Sequence, residues 1–133
     1  MNLLLDTNAW FWMFARPSLL SAAAKERLNQ EEVVGVSPFS LIEIAQKNAS
    51  PRANLELQVS LEEWFRISLP PGRVQLIPVT SPIAAKAYDV GDDFHGDPAD
   101  RVIAATAIIH GLTLVTADRR LLSCDQVDTI PAR

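Results

Sequence analysis

Residues 2–17 read NLLLDTNAWFWMFARP, a single acid set between two apolar runs. The run at residues 3–5 is short and continuously apolar, the pattern of a strand buried on both faces. Residues 8–15 are expected to form a helix, ending at Arg16 because the residue before Pro17 disfavours the α region. Along that helix Trp10, Phe11, Trp12, Met13 and Phe14 each advance by about 100° and so encircle the axis. One face can meet a sheet. The rest needs cover from residues 19–28, another helix, a second subunit or a partner protein. Asp6 stands at the carboxyl end of the strand.

Outward from this stretch, strands and helices alternate. Residues 21–28, SAAAKERL, are strong helix formers with Ser21 as candidate cap, and residues 33–37 read as a second strand. A third helix is expected over 40–48, with Leu41, Ile44 and Ala45 on one side, while 49–59 carry no clear pattern. Ser60-Leu-Glu-Glu63 matches a capping box for a helix ending near residue 68. Pro70-Pro71-Gly72 breaks it before a third strand at 74–79. Ser81-Pro82 offers an N-cap and an N1 proline for a helix to about residue 90. Asp97-Pro98 repeats the device for a helix over 99–110, stopped at Gly111. A fourth strand over 112–116, a helical turn over 119–122 and a fifth strand over 127–130 follow. Apolar strands alternating with helices predict an α/β fold with a mostly parallel sheet, and the 133 residues read as one domain.

On that topology four acids converge. Asp6 ends the first strand and Asp118 follows the fourth. Glu43 lies early in the helix after the second strand, and Asp100 lies in the first turn of the helix leading into the fourth. Each helix start returns to the carboxyl edge of the sheet, where open α/β sheets place their ligands. Each acid also has a plainer reading: Asp6, Asp97 and Asp118 as helix caps, Asp100 as an acid favoured near a helix N-terminus, and Glu43 as an exposed-face glutamate. Crowded carboxylates raise one another's pKa unless a cation neutralises them. With oxygen donors alone, the set selects Mg²⁺ or Mn²⁺. Such a site activates water and stabilises in-line displacement at phosphorus.

Composition bounds the alternatives. At 48% hydrophobic and 21% charged residues the chain has the balance of a folded globular protein. Its net charge of −4 argues against a broad basic nucleic-acid face, so any such contact must be local or assisted. The single cysteine, Cys124, precludes an internal disulfide and a cysteine-based zinc site, and fits a reducing compartment. The apolar start lacks a basic flank and is interrupted by Asp6, unlike a secretory signal. No stretch of eighteen apolar residues is present to span a bilayer, so no membrane association and a cytoplasmic location are expected. A P-loop is absent. A haloacid-dehalogenase-like phosphatase would need a second aspartate two residues after Asp6, where this chain has Asn8.

The ordered motifs resemble the PIN-domain ribonucleases, specifically the VapC-type toxins of type II toxin–antitoxin modules. LLLDTNAW resembles their opening strand and Asp-Thr-Asn/His signature, and VSPFSLIEIAQK their segment with a central glutamate. DPADRVIAATAIIHGLTLVTADRRL resembles their C-terminal block. The likeness runs over nearly the whole chain and is thinnest at 49–75. It implies a PIN-like three-layer sandwich and a metal-dependent endoribonuclease that leaves a 5′-phosphate and a 3′-hydroxyl. Asp6 and Asp100 would be the principal metal ligands, Asp118 and Glu43 would complete the pocket, and Glu43 is a candidate to position or deprotonate the attacking water. Asn8 and Thr116 match positions that support the pocket, and Asp97 is a cap first and a peripheral acid second. Arg101, Arg119 and Arg120, nearest the acids in sequence, are candidate RNA contacts, with solvated arginines or ion pairs as the alternative. His95 and His110 read more simply as a loop residue and a helix C-terminal residue. The resemblance also implies a VapB-like antitoxin and a homodimer, with Trp10, Phe11, Trp12 and Phe14 as the candidate partner surface. A PIN-like binding module without catalysis, or a PIN nuclease of RNA maturation or decay, are the alternatives.

Overall fold

Leu3, Leu4 and Leu5 are all fully buried, yet they serve two different cores. Successive strand side chains point to opposite faces, so Leu3 and Leu5 pack on one side of the sheet and Leu4 on the other. The computed structural model describes residues 1–53, 55–91, 94 and 97–133. Its strands are β1 (Leu3–Leu5), β2 (Val34–Val36), β3 (Val74–Leu76), β4 (Thr113–Thr116) and β5 (Thr129–Pro131). They form one sheet in the order β3-β2-β1-β4-β5, parallel throughout. β1 is central, with Leu5 paired to Val36 on one side and Val115 on the other.

The helices are α1 (Thr7–Ala15), α2 (Ala22–Gln30), α3 (Pro38–Ala49), α4 (Leu61–Ser68), α5 (Ser81–Ala87), α6 (Pro98–His110) and α7 (Arg119–Leu122). Leu3, Leu5, Val34, Val36 and Val115 pack against Trp10, Phe11, Ala24, Leu28, Ile44 and Trp64 from α1 to α4. On the opposite face Leu4 and Leu114 pack against Ile103, Ala104 and Ala107 of α6 and Leu121 of α7. Helix layers on both faces make the three-layer sandwich. No helix among the described residues is long and apolar enough to cross a membrane.

Caps set the helix starts. Ser21, Ser60, Asp97 and Asp118 accept from backbone N–H groups as expected. Three boundaries differ because a residue further upstream supplies the cap. α1 starts at Thr7 with Asp6 as its N-cap, α3 starts at Pro38 under Ser37, and α5 is capped by Thr80 rather than Ser81. α5 also stops at Ala87, short of residue 90. β3 ends at Leu76, two residues before Pro78, which has no N–H for a ladder. β5 sits later than expected, over 129–131, and its Pro131 is tolerated on an edge strand. Gly111 ends α6 at φ 63°, the left-handed conformation glycine adopts without steric cost.

The aromatic run corrects an expectation. Trp10 and Phe11 are buried within the chain and present no partner surface. Their cover is chiefly α4: the Trp10 and Trp64 ring centroids are 4.9 Å apart, Phe11 and Trp64 5.4 Å, and Phe65 stacks on Trp10 at 6.2 Å. The Trp10 indole N–H donates to the Ser68 carbonyl at 2.8 Å, satisfying its buried donor. Leu20, Ala24 and Leu28 join the same core, so residues 19–28 contribute as well. Trp12 and Phe14 remain half-buried at its edge.

Candidate active site

The sheet changes direction of progression between β1 and β4, the switch point where α/β sheets open a crevice. Asp6 follows β1 there, its N–H bonded to the Val115 carbonyl at 3.1 Å. Around it is a cavity of about 170 Å³ lined by Asp6, Thr7, Asn8, Glu43, Lys47, Asp97, Asp100 and Asp118. All four acids expected to meet do line it, together with Asp97.

Asp6 is buried, and both of its oxygens are occupied. Oδ1 accepts from the Ala9 N–H at 2.8 Å and Oδ2 accepts from the Thr116 hydroxyl. Burial pushes its pKa up to about 6, against those two hydrogen bonds, with Asp118 and Glu43 adding repulsion. Capping and site membership are therefore one role here: the cap orients the carboxylate that faces the cavity. Thr116 also accepts from the Asp118 N–H at 3.0 Å, so one buried hydroxyl ties together the acids at the ends of β1 and β4. Asp118 Oδ1 in turn accepts from the Arg120 and Leu121 N–H groups at 2.8 and 3.3 Å, opening α7.

Asp100 is buried in the first turn of α6, and its N–H donates to Asp97 Oδ1 at 3.2 Å. Burial, then the neighbouring Asp97 and Asp118, push the Asp100 carboxyl up to about 8, against the pull of Arg120. Asp97 is held below the ordinary carboxylate range: burial opposes this, but hydrogen bonds from Asp100 and the charge of Arg120 prevail. The pair shares its acidity unequally because two adjacent carboxylates cannot both ionise freely.

Glu43 is half-buried on α3 and held by the Thr7 hydroxyl, which is also hydrogen-bonded to Ser40 Oγ at 2.9 Å. Thr7 and Ser40 were not singled out from the sequence, where each reads as an ordinary helical polar residue. Only their burial in the folded chain, one residue after Asp6 and three before Glu43, sets them apart. Asn8 is exposed and accepts from Lys47 Nζ at 3.1 Å, placing a lysine at the cavity wall.

The three arginines part company. Arg101 is a correction: it is buried, donates to the Ala87 carbonyl at 3.1 Å, and packs under the Tyr88 ring at 4.9 Å, so it cannot meet a ligand in the cavity. Arg119 is exposed. Arg120 turns inward as an ion pair, with Nη2 2.8 Å from Asp100 Oδ2 and 3.4 Å from both Asp97 Oδ2 and Asp118 Oδ2. Among the described residues no three His, Cys, Asp or Glu side chains converge to hold an ion in this arrangement. The oxygen-only donor set suits a hard cation, but Arg120 already pairs with Asp97, Asp100 and Asp118. His110 ends α6 and is exposed, Cys124 is buried as a free thiol, and His95 lies outside the described residues.

A parallel five-stranded sheet with this acidic crevice defines an α/β fold of the PIN kind, and the chain belongs to the PIN-domain family, whose model matches residues 3–126. Within it the chain is similar to Ribonuclease VapC22 of Mycobacterium tuberculosis, with 36% identity over 122 residues covering 92% of this chain and 91% of that one. Its fold is shared with VapBC2 from Rickettsia felis, solved bound to a DNA fragment from their promoter (TM-score 0.70, 16% identity, 100% of both chains). It is shared equally with a toxin–antitoxin complex from Klebsiella pneumoniae (TM-score 0.66, 19% identity, 98% of this chain and 97% of that one).

Proposed function

We propose that this chain is the toxin of a type II toxin–antitoxin module, an endoribonuclease that hydrolyses RNA phosphodiester bonds at the Asp6, Glu43, Asp100 and Asp118 crevice. The observation that carries the reading is the gathering of these four acids, from four separate elements, around one cavity at the switch point of the sheet. Membership of the PIN family and likeness to a named ribonuclease support it.

The donor set fits Mg²⁺ or Mn²⁺: oxygen ligands only, two of them pushed above their ordinary pKa chiefly by burial, with neighbouring carboxylates adding repulsion. When bound, the cation supplies an activated water and neutralises charge developing at phosphorus. Asp6 and Asp100 would be the principal ligands, and Asp118 and Glu43 would complete the pocket. Glu43, steadied by Thr7, would position or deprotonate the attacking water. Thr116 keeps Asp6 and Asp118 in fixed relation. Lys47, at the cavity wall, and the exposed Arg119 offer charge to the incoming phosphate backbone.

A VapB-like antitoxin and a second copy of the chain are the proposed protein partners, with the half-buried Trp12 and Phe14 as the part of α1 still open to contact. The site of action is the cytoplasm, where its RNA substrate resides.

The test is cleavage of total cellular RNA by purified protein with Mn²⁺ or with EDTA, mapping new 5′-phosphate ends. Wild type cuts only with metal, and Asp100→Asn, folded by circular dichroism, does not. RNA bound but uncut in Mn²⁺ would mark a non-catalytic binding module and overturn the enzyme reading. Equal cutting by Asp100→Asn would overturn the site.

A further inference from the structure

Arg120 sits where the metal reading wants a cation. A single nitrogen, Nη2, approaches three carboxylates at once: Asp100 at 2.8 Å, and Asp97 and Asp118 at 3.4 Å. Arginine ordinarily meets a carboxylate through two parallel N–H bonds. Here the guanidinium is used more like a point charge, which is how a metal ion is used. The contact is anchored from behind, because the Arg120 backbone N–H donates to Asp118 Oδ1 while its side chain faces Asp118 Oδ2. The side chain is nevertheless 42% exposed, so it can leave the acids by rotating about its own stem without moving α7.

We propose that Arg120 is a built-in counter-cation of the metal-free crevice, which competes with the divalent ion for Asp100 and Asp118 and, once displaced, holds the RNA phosphate at the rim. The inference rests on the metal-centre reading above. A guanidinium and a divalent cation on the same oxygen, Asp100 Oδ2, would bring two positive charges within a few ångströms of each other, so each weakens the other's hold. Displacement leaves a free guanidinium beside the reaction site, with the fork geometry that suits a phosphate. Exchange of partner from carboxylate to phosphate thus links metal loading to substrate capture. Arg120 is on this account a positioning and regulatory residue before it becomes a substrate contact.

The test compares full-length wild type, Arg120→Ala and Arg120→Lys in two measurements. Mn²⁺ affinity without RNA is read from the electron paramagnetic resonance signal of free Mn²⁺, and KM for RNA is read at saturating Mn²⁺. Arg120→Ala is expected to bind Mn²⁺ about fivefold more tightly, the equivalent of one partly exposed ion pair, while its KM rises. Arg120→Lys, which keeps the charge, falls between the two in both. These opposite signs are not expected of a residue that merely stabilises the fold. Equal or weaker Mn²⁺ binding by Arg120→Ala overturns the counter-cation role. Tighter binding with unchanged KM overturns the phosphate contact. Absence of Mn²⁺ binding by wild type overturns the metal-centre reading itself, and this inference with it.

Discussion

Asp6→Asn separates what the crevice does for chemistry from what it costs in stability. In the folded chain the Asp6 carboxyl rises from 3.8 to about 6, and at roughly 1.4 kcal/mol per pH unit this makes its ionised form unfavourable by about 3 kcal/mol. The sign follows from linkage. Between those two values the folded state holds more protons than the unfolded one, so stability falls as pH rises. The penalty is absent below about pH 4 and complete above about pH 6. Asparagine keeps an oxygen to accept from the Ala9 N–H but leaves the Thr116 hydroxyl without its acceptor, at a cost of about 1 kcal/mol. The variant should therefore be more stable than wild type by about 2 kcal/mol at pH 8 in EDTA, with Tm raised by about 5–10 °C for a chain of this size. At pH 4 it should be no more stable than wild type. Thermal and urea unfolding in EDTA across pH 4–8 measure this directly. An Asp6→Asn protein no more stable than wild type at pH 8, or equally displaced at both pH values, would refute the claim that an uncompensated buried carboxylate is held in the crevice.

Three further outcomes test the rest of the structure. Thr116→Val removes the hydroxyl that lowers the Asp6 pKa, so the pH at which metal-dependent cleavage rises should move upward; an unmoved pH–rate profile would show that the bond is not used. Trp10→Ala should destabilise the fold by about 3–5 kcal/mol in urea unfolding, because it empties the aromatic contact with α4 and strands the Ser68 carbonyl; a loss under 1 kcal/mol would mean that the contact with α4 carries little. Arg101→Ala should cost about 1–3 kcal/mol of stability through the lost bond to Ala87 and the lost contact with Tyr88. The salt dependence of RNA binding should not change; a lower salt slope would restore Arg101 as a backbone contact.

Much of this molecule is written in short-range signals. The order of strands and helices, the caps at Ser21, Ser60, Asp97 and Asp118, and the stop at Gly111 can be read from neighbouring residues, because caps, prolines and glycines act over a single turn. The acids are legible for the same reason: each stands at the end of an apolar strand or in an early turn of a helix, and parallel topology carries those ends to one edge. Side-chain direction is another matter. α6 is buried continuously from Ala99 to Ala107, so no periodicity in its sequence tells that Arg101 turns away from the crevice toward Ala87. Arg120, in a short helical turn, could have faced solvent; the unneutralised charge on Asp97, Asp100 and Asp118 draws it inward. The cover for Trp10 comes from Trp64 and the Ser68 carbonyl, separated from it by more than fifty residues. Strand–helix order and the identities of the acids are set locally, since sterics and hydrogen bonds between near neighbours decide both. Which side-chain cation meets those acids, which arginine is spent in the core and which face of the aromatic helix remains open are set by folding, because burial and charge are settled among residues that meet only in the folded chain.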